Sequence, residues 1–385
     1  MDRKCIYCRN TKCESEFTLE HVIPQFLGGA LAPDILKTRD VCKDCNSNLG
    51  LFVDAAFQKD WLVYNHLNTL AIAFFNPEKP VGLPLNCLGN SDLRPPEIKV
   101  DETCECWLGP LGEQIYWIRP IDESKYWYSG GNPRTVKKIK TRAYFLFSER
   151  SNKNIALSLL SFGDAFKGRP VTKILCAKAG NEDLLKFGFS IPDKLDMARI
   201  DYFSKSCSNQ QTRKNNFSMY VNYDIRFLAK LSIGLSYTFL GQRNLNSVYM
   251  LELKKALWHK QGDPVPKIKG VGGLSNGDEF LKLNCGVDHG TTITILPVSK
   301  NVAINLNIGR KINWVIMCTE LENLSEENIF KLGNGACFVF FKAINRCVCL
   351  SLQELMTHNS GNIHHSELTE IDAMVGKHND YFKNL

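Results

Sequence analysis

Two closely spaced cysteine pairs near the amino terminus could hold a metal ion. Cys5 and Cys8 form one Cys-x-x-Cys pair, and Cys42 and Cys45 form a second. Such pairs can direct four thiolates at one ion, which is the tetrahedral sulfur set of structural zinc sites. Four unrelated core cysteines are the alternative, and the matched spacing disfavours them. Cys13 lies apart from both pairs; it could replace a ligand, although its isolation favours a free thiol.

The stretch EFTLEHVIPQFLGG lies between the two pairs and carries the adjacent titratable side chains Glu20 and His21. The near-neutral pKa of imidazole suits a general base. Taken alone, however, a single histidine is more often packed or solvated than catalytic. Neighbouring side chains on a strand point to opposite faces, so these two could share one site only where the strand ends. Pro24 and the Gly28-Gly29 pair supply such an end.

The elements that must position these side chains can also be predicted. Apolar residues at helical spacing predict a helix over residues 46–70. The segment FFNPEKPVGLP, with its three prolines, ends that helix and is typical of a linker. We therefore predict a first domain over residues 1–75 and a second over residues 76–385, which could divide further near residues 200–220.

The rest of the chain has mixed patterns that predict an α+β fold. TRAYFLFS and IALSLLSFG are interpreted as strands, and apolar residues from Ile225 to Phe239 predict an amphipathic helix with Asp224 as its N-cap. TTITILPV and VAINLNI alternate around SKN, which predicts a hairpin. WVIMC, CFVFF and RCVCL extend it as further strands, so we expect an antiparallel sheet near the carboxyl terminus.

Composition sets broad limits on the function. The 385 residues are 44% hydrophobic and 23% charged, as in an ordinary globular protein. No apolar run approaches the roughly 18 residues of a membrane span, and no apolar signal core follows the first methionine. The 15 cysteines, an odd number, indicate reduced thiols and a cytoplasmic protein. The net charge of +7 allows a polyanionic partner. The basic segments RTVKKIKTR, QTRKNN and PKIKG could contact phosphates, although a solvated face or loop is the favoured interpretation of each taken singly. RTVKKIKTR alternates in part and could form a strand with one basic face.

The order CxxC, EHVIP, Gly-Gly and CxxCN resembles the HNH endonuclease family, over the first 55 to 60 residues only. The resemblance implies a zinc-stapled ββα-metal module, a hairpin and a helix around one catalytic cation. The module would precede the larger α+β domain. By the same resemblance, many members carry an asparagine shortly before the second cysteine pair, where this chain has LKTRDVC. Lys37 or Thr38 would have to take over that steadying role, Thr38 through its hydroxyl.

The resemblance also implies roles for individual residues. His21 would be the general base, and Asn46 a ligand of a catalytic Mg²⁺ or Mn²⁺ that is distinct from the structural zinc. Glu20 would contribute a further oxygen ligand beside the base. Asp54, two helical turns beyond Asn46, could support the cation or simply face solvent. The implied reaction is metal-dependent hydrolysis of phosphodiester bonds, with DNA as the expected substrate.

Other functions stay open at this point. The same cysteines would serve a non-catalytic zinc module that binds nucleic acid or a protein, but such a module has no use for Glu20, His21 and Asn46 together. The carboxyl-terminal domain would supply specificity or activation, so an activating ligand or protein partner, and a homo-oligomer, are compatible with the sequence. Some family members with long extensions are bacterial defence effectors, and an antiviral defence nuclease is one interpretation of this chain by analogy.

Overall fold

The computed structural model describes residues 2–125, 127–208, 214–260, 262–272, 279–378 and 381–382. Its strands are β1 Asp2–Lys4, β2 Thr11–Cys13, β3 Phe17–His21, β4 Lys37–Cys42, β5 Asn86–Ser91, β6 Glu102–Leu108, β7 Gln114–Pro120, β8 Thr141–Leu146, β9 Val171–Leu175, β10 Asn215–Asn216, β11 Gly270–Val271, β12 Thr291–Val298, β13 Asn301–Ile308, β14 Ile312–Glu320, β15 Ala336–Phe341 and β16 Arg346–Ser351. Its α-helices are α1 Lys43–Leu49, α2 Ala55–Lys59, α3 Trp61–Ala73, α4 Pro133–Val136, α5 Glu149–Lys153, α6 Ile155–Asp164, α7 Asn181–Lys186, α8 Lys194–Ser208, α9 Val221–Leu240, α10 Val248–Leu257, α11 Glu279–Asn284, α12 Glu326–Leu332, α13 Leu352–Asn359 and α14 Ser366–His378. The α+β class predicted from the sequence is confirmed.

The described chain divides into two compact units. The first unit combines Met1–Gln58 with Tyr220–Ala373, and the second combines Lys59–Met219 with Met374–Leu385. The amino-terminal segment therefore shares a unit with a segment that follows it by more than 150 residues. This grouping differs from a division at residue 75, and the assignment of separate functions to residues 1–75 and 76–385 stays a prediction.

The first unit contains two small two-stranded sheets and one larger sheet. β1 pairs with β2 and β3 with β4, both antiparallel, and the larger antiparallel sheet has the order β11-β14-β13-β12-β15-β16. The predicted hairpin is confirmed as β12 and β13, and the three strands expected after it are β14, β15 and β16. Alternating apolar residues such as Ile293 and Ile295 are fully buried here, as the period of a strand requires.

Helix α9 is the central helix of the first unit and is buried along most of its length. It begins at Val221 after Tyr220 as N-cap, so the prediction of Asp224 as the N-cap was wrong; Asp224 lies in the first turn. Gly234 lets this helix approach the amino-terminal segment closely, because a Cβ at Gly234 would meet Val22 Cγ1 at 2.6 Å and the Tyr7 hydroxyl at 3.0 Å. A small residue is therefore required at this point of α9.

The second unit is built on the sheet β10-β5-β6-β7-β8-β9, in which only β8 and β9 pair in parallel. Neighbouring residues of β7 and of β8 enter different cores. Trp117 of β7 and Phe145 of β8 pack on one face of the sheet, while Tyr116 and Tyr144 pack on the other. Both faces of the sheet are therefore covered, which explains why its central strands are nearly continuous apolar runs.

Candidate active site

The four cysteines of the two Cys-x-x-Cys pairs converge in the first unit. Their Sγ atoms all lie within 4.8 Å of one another, and Cys8 Sγ lies 3.9 Å from Cys42 Sγ. Cys5 begins a tight turn in which the Arg9 amide donates to the Cys5 carbonyl at 2.9 Å. Cys42 is the N-cap of α1, so Cys45 follows within the first helical turn. The spacing of each pair is thus set by a local turn.

The sulfur cluster fits a zinc ion. Four ligands at about 2.3 Å around a tetrahedral ion lie about 3.8 Å apart, close to the separations found here. The Cys42 amide approaches the Cys5 sulfur at 3.5 Å. Contacts with the Cys45 thiol, and then with backbone amides, outweigh burial and lower the pKa of Cys5 to about 4. The surroundings therefore favour a thiolate, the form that binds metal, at Cys5, while the contact with Cys5 and burial raise the pKa of Cys45.

Strand β3 carries the Glu-His pair and ends at His21. Glu20 is 3% exposed, whereas His21 is partly exposed, so the two side chains lie on opposite faces of the strand as the alternation predicts. The pairing with β4 shifts register between Thr18 and Glu20. Val22, immediately after the strand, is fully buried and anchors its end. Only the imidazole of this pair is therefore accessible to a substrate.

The Gly-Gly turn after the pair is required by the backbone. Gly28 has a φ of +101°, and a Cβ there would meet the side chain of Phe340 at 3.0 Å. A Cβ at Gly29 would lie 1.6 Å from the Ile23 carbonyl oxygen, which no side chain can tolerate. The loop that follows His21 thus folds back on itself only because both positions are glycine.

Asn46 connects helix α1 to strand β3. Its Nδ2 donates to Thr18 Oγ1 and to the Leu19 carbonyl, both at 3.0 Å. The acceptor Leu19 lies two residues before His21, so this contact fixes the helix beside the end of the strand. Both contacts use the amide nitrogen, so neither of them involves the side-chain oxygen Oδ1, the atom of an asparagine that can bind a cation.

Thr38 lies opposite Glu20 in the β3–β4 pairing and is 8% exposed. Its hydroxyl accepts from the Asp40 amide at 3.1 Å and donates to Asp40 Oδ2 at 3.3 Å. Tyr237 of α9 also donates to that carboxylate, at 2.5 Å. These contacts lie within β4, which Tyr237 links to α9, and the steadying role of Thr38 toward the loop that carries His21 stays a prediction.

A buried ion triad lies on the face of β3 opposite His21. Lys230 of α9 contacts Asp54 Oδ2 at 2.5 Å and Glu20 Oε1 at 3.1 Å, and both Lys230 and Glu20 are only 2–3% exposed. Tyr7 donates to Glu20 Oε1 at 3.4 Å. Asp54 ends the π-helical turn Gly50–Asp54 that follows α1. The sequence prediction did not include Lys230.

The charges of this triad depend on one another. Burial raises the pKa of both Glu20 and Asp54, and the ammonium of Lys230 opposes this effect. Burial opposes the charge of Lys230 as well, but Asp54 and Glu20 outweigh it and raise the pKa of the amine. Lys230 is therefore a charged counter-ion that two buried carboxylates share.

The three predicted ligands of a catalytic cation do not converge in this arrangement. Glu20 and Asp54 bind Lys230, and Asn46 binds Thr18 and Leu19 elsewhere on the strand. A cation held by all three would have to displace the ammonium of Lys230. The four cysteines thus fit a structural zinc site, and Glu20, Asn46 and Asp54 as ligands of Mg²⁺ or Mn²⁺ stay a prediction.

Comparison with known proteins identifies the amino-terminal segment, which contains the two cysteine pairs, the Glu-His pair, Asn46 and Asp54. Residues 5–62 match the sequence model of the HNH endonuclease family. The amino-terminal segment is thus an HNH module, as the resemblance predicted. No curated protein and no solved structure matched the chain. Lys230 lies outside the matched segment, so the family pattern could not have pointed to it.

The described residues contain no helix that is both long and apolar enough to span a membrane.

Proposed function

We propose that this protein is a metal-dependent HNH endonuclease that hydrolyses phosphodiester bonds in nucleic acid, with DNA as the expected substrate. The observation that carries the proposal is the match of residues 5–62 to the HNH family, together with the four-cysteine cluster that frames the Glu-His pair. The unit that contains the module also contains helix α9, so we expect the catalytic unit to need both of its segments.

In this proposal His21 is the general base. Its imidazole, partly exposed at the end of β3, accepts a proton from a water molecule as the water oxygen attacks phosphorus. The new phosphorus–oxygen bond replaces the bond to the leaving sugar oxygen, which takes a proton from solvent. Asn46 maintains the strand next to this imidazole through the Leu19 carbonyl. In the HNH family a divalent cation supplies charge stabilisation at the phosphate.

The test is a His21→Ala variant of the full-length, zinc-loaded protein, assayed on plasmid DNA with Mg²⁺ or Mn²⁺. Loss of the general base should lower the cleavage rate by about 10² to 10⁴-fold. His259→Ala is the matched control, because His259 lies in the same unit but contacts the Asp263 carbonyl outside the matched segment. Zinc content and unfolding temperature should be unchanged in both variants.

A His21→Ala variant that cuts as fast as the parent would remove the general base from the proposal. If neither protein cuts any DNA or RNA with either metal ion, the chain is better described as a non-catalytic zinc module. Titration of Mg²⁺ and Mn²⁺ in the same assay measures whether cleavage needs a divalent cation. Full activity that appears only with a further component would support an activating ligand or protein partner. A homo-oligomer and a role in antiviral defence stay separate proposals.

A further inference from the structure

Three basic side chains of the second unit lack a carboxylate contact among the described residues. No carboxylate oxygen of that part of the chain lies within 4.0 Å of the side-chain nitrogens of Lys59, Lys137 or Arg169. Glu105 attracts the Arg169 guanidinium but is itself bound by Arg119. Lys59 and Arg169 are only partly exposed, so water solvates them incompletely. Charges that are partly withdrawn from water without a partner are costly, which makes such a cluster unusual unless it binds an anion.

One loop brings these cations together. The Ser129 amide donates to the Lys59 carbonyl at 2.8 Å. Gly130 follows Ser129, and its carbonyl accepts from Arg169 Nη1 at 3.3 Å. Gly130 has a φ of +76°, and a Cβ there would meet Arg169 Nη1 at 2.5 Å. Lys137 follows directly after helix α4, which begins at the end of the same loop. The glycine thus lets the loop lie against the guanidinium.

Aromatic rings, rather than carboxylates, lie against two of these cations. The Arg169 guanidinium lies 5.1 Å from the centroid of Trp117, and the Lys59 ammonium lies 5.6 Å from that of Tyr128. Ring faces stabilise a cation without neutralising it. Burial, and then the like charges of Arg169 and Lys137, lower the pKa of Lys59 to about 8. The cluster thus has an excess of positive charge.

Arg169 also lines a cavity of about 370 Å³, with Tyr64, Trp107 and Phe166 among its walls. The Trp107 ring lies perpendicular to Tyr64 at 5.7 Å and to Phe166 at 5.6 Å. The indole N–H of Trp107, in a residue 3% exposed, has no hydrogen-bond acceptor among the described residues. Asp164 lines the same cavity and offers acceptor oxygens. Aromatic walls with a few polar groups suit a small planar ligand.

We propose that Lys59, Lys137, Arg169 and the adjoining aromatic cavity form a nucleotide-binding site in the second unit. The cations would bind a phosphate group, and the cavity that Tyr64, Trp107 and Phe166 help to line would hold the base. Base–aromatic contact tolerates every base, whereas Asp164 favours bases that carry an amino group. The nucleotide is either part of a nucleic-acid strand or a free mononucleotide, since both present the same chemistry.

This inference deepens the proposed function and rests on it, because the nuclease needs a site that grips its substrate or senses a nucleotide. The test uses the His21→Ala protein, full length and zinc-loaded, so that binding is measured without cleavage. The probes are a fluorescein-labelled single-stranded DNA of about 12 nucleotides, within the range of strand-binding sites and observed by anisotropy, and unlabelled AMP and dAMP, observed by calorimetry. Inorganic phosphate serves as a competitor for the cations alone.

Arg169→Ala should weaken binding of the probe at least tenfold, and Arg169→Lys should restore part of the loss. Lys137→Ala, a change at an exposed side chain that the fold tolerates, should weaken binding and reduce the slope of log affinity against log salt by about 0.7, as expected for one phosphate contact. Lys186→Ala is the matched control, since Lys186 is an exposed lysine of the second unit that lies 6.0 Å from the ring centroid of Phe187.

Binding of the oligonucleotide alone would identify a strand-binding site, and binding of AMP or dAMP as well would identify a site for free nucleotides. Either result supports the inference if the Arg169 and Lys137 variants lose affinity and the Lys186 variant does not. Equal affinity in all of these variants, or no binding of any probe, would overturn it. The proposed function would survive that result, because it depends on the cleavage loss in His21→Ala.

Discussion

One cluster of positive charge in each unit is withdrawn from water, and the two clusters differ in what surrounds them. In the first unit, one ammonium is enclosed by two carboxylates, and four cysteine sulfurs converge as if around a cation. In the second unit, Lys59 and Arg169 lie against aromatic rings, with no carboxylate of the described residues in contact with them. A charge that its own fold neutralises needs its partners for the fold to stay stable, whereas one that the fold leaves unneutralised is available to a ligand. The comparison therefore separates structural ions from candidate binding groups.

Removing zinc should cause the largest effect, because it takes away the cation that would link the four cysteine sulfurs and neutralise their charge. The Cys42→Ser variant, or the parent treated with a chelator, loses an ion whose apparent binding free energy in small zinc modules is about 10 kcal/mol or more. We expect the first unit to unfold or become protease-sensitive at room temperature, as followed by limited proteolysis and zinc release. Cys349→Ser, at an exposed cysteine outside the cluster, is the control. A chelated protein with unchanged proteolysis would argue against a structural zinc.

Lys230→Met should cause the next largest effect, because it leaves Glu20 and Asp54 buried without a counter-ion. The expected loss is about 3–5 kcal/mol in the free energy of unfolding, measured by urea denaturation. Lys186→Met, at an exposed lysine, should cost less than about 0.5 kcal/mol.

A triple variant sharpens this prediction, since neutralising all three groups removes the unpaired charges. Lys230→Met combined with Glu20→Gln and Asp54→Asn should recover most of the lost stability. Glu20→Gln alone tests the competing role as a cation ligand. A strong rise in the Mg²⁺ concentration needed for cleavage, with stability nearly unchanged, would assign Glu20 to the catalytic cation rather than to the triad.

The smallest expected effect is a pH dependence at Lys59. Its pKa is about 8 in the folded chain and 10.5 in the ordinary state, so the unfolded chain binds one more proton between these values. Stability contributed by this group therefore rises with pH across that window, by about 1 kcal/mol once partial exposure is allowed for. Lys59→Met should lack the rise when unfolding is measured at about pH 8, 9 and 10, across the window of the lysine pKa. Parallel curves for variant and parent would mean that Lys59 is fully solvated.

Local patterns were sufficient to predict the parts of the site that neighbouring residues determine. Each Cys-x-x-Cys pair lies on its own turn, and the Gly-Gly sequence follows from one tight backbone reversal. The hairpin of β12 and β13 was equally clear, because its two alternating strands are separated only by a short connection. In each case the deciding contacts lie within a few residues along the chain.

Predictions failed where a cap or a distant partner decided the structure. IALSLLSFG was predicted as a strand but forms helix α6, since the Asn154 side chain caps its start at the Leu157 amide. The helix predicted over residues 46–70 is interrupted at Asp60, whose side chain caps α3 by accepting from the Leu62 amide at 2.9 Å. The basic segment RTVKKIKTR is not one strand: it begins as α4, and β8 starts only at Thr141.

Lys230 could not be found from the sequence, because nothing near it in the chain shows that it lies beside Glu20. The helix prediction located its backbone correctly but said nothing about which side chain it would meet. The apolar residues of α9 have the spacing of an ordinary helix, and Lys230 is the one lysine among them. A buried lysine on such a face is a signal in retrospect, since lysine is almost never fully buried unless it is paired.

The separation of 210 positions along the chain from Glu20 to Lys230 also has a consequence during protein synthesis. A ribosome adds about 5–20 residues per second, so Glu20 and Asp54 emerge roughly 10–40 s before their ammonium partner has been made. During this interval the nascent amino-terminal segment carries an unmatched acidic pair and lacks the helix that covers it. Synthesis that ends before α9 would therefore leave a chain whose HNH module has never been completed.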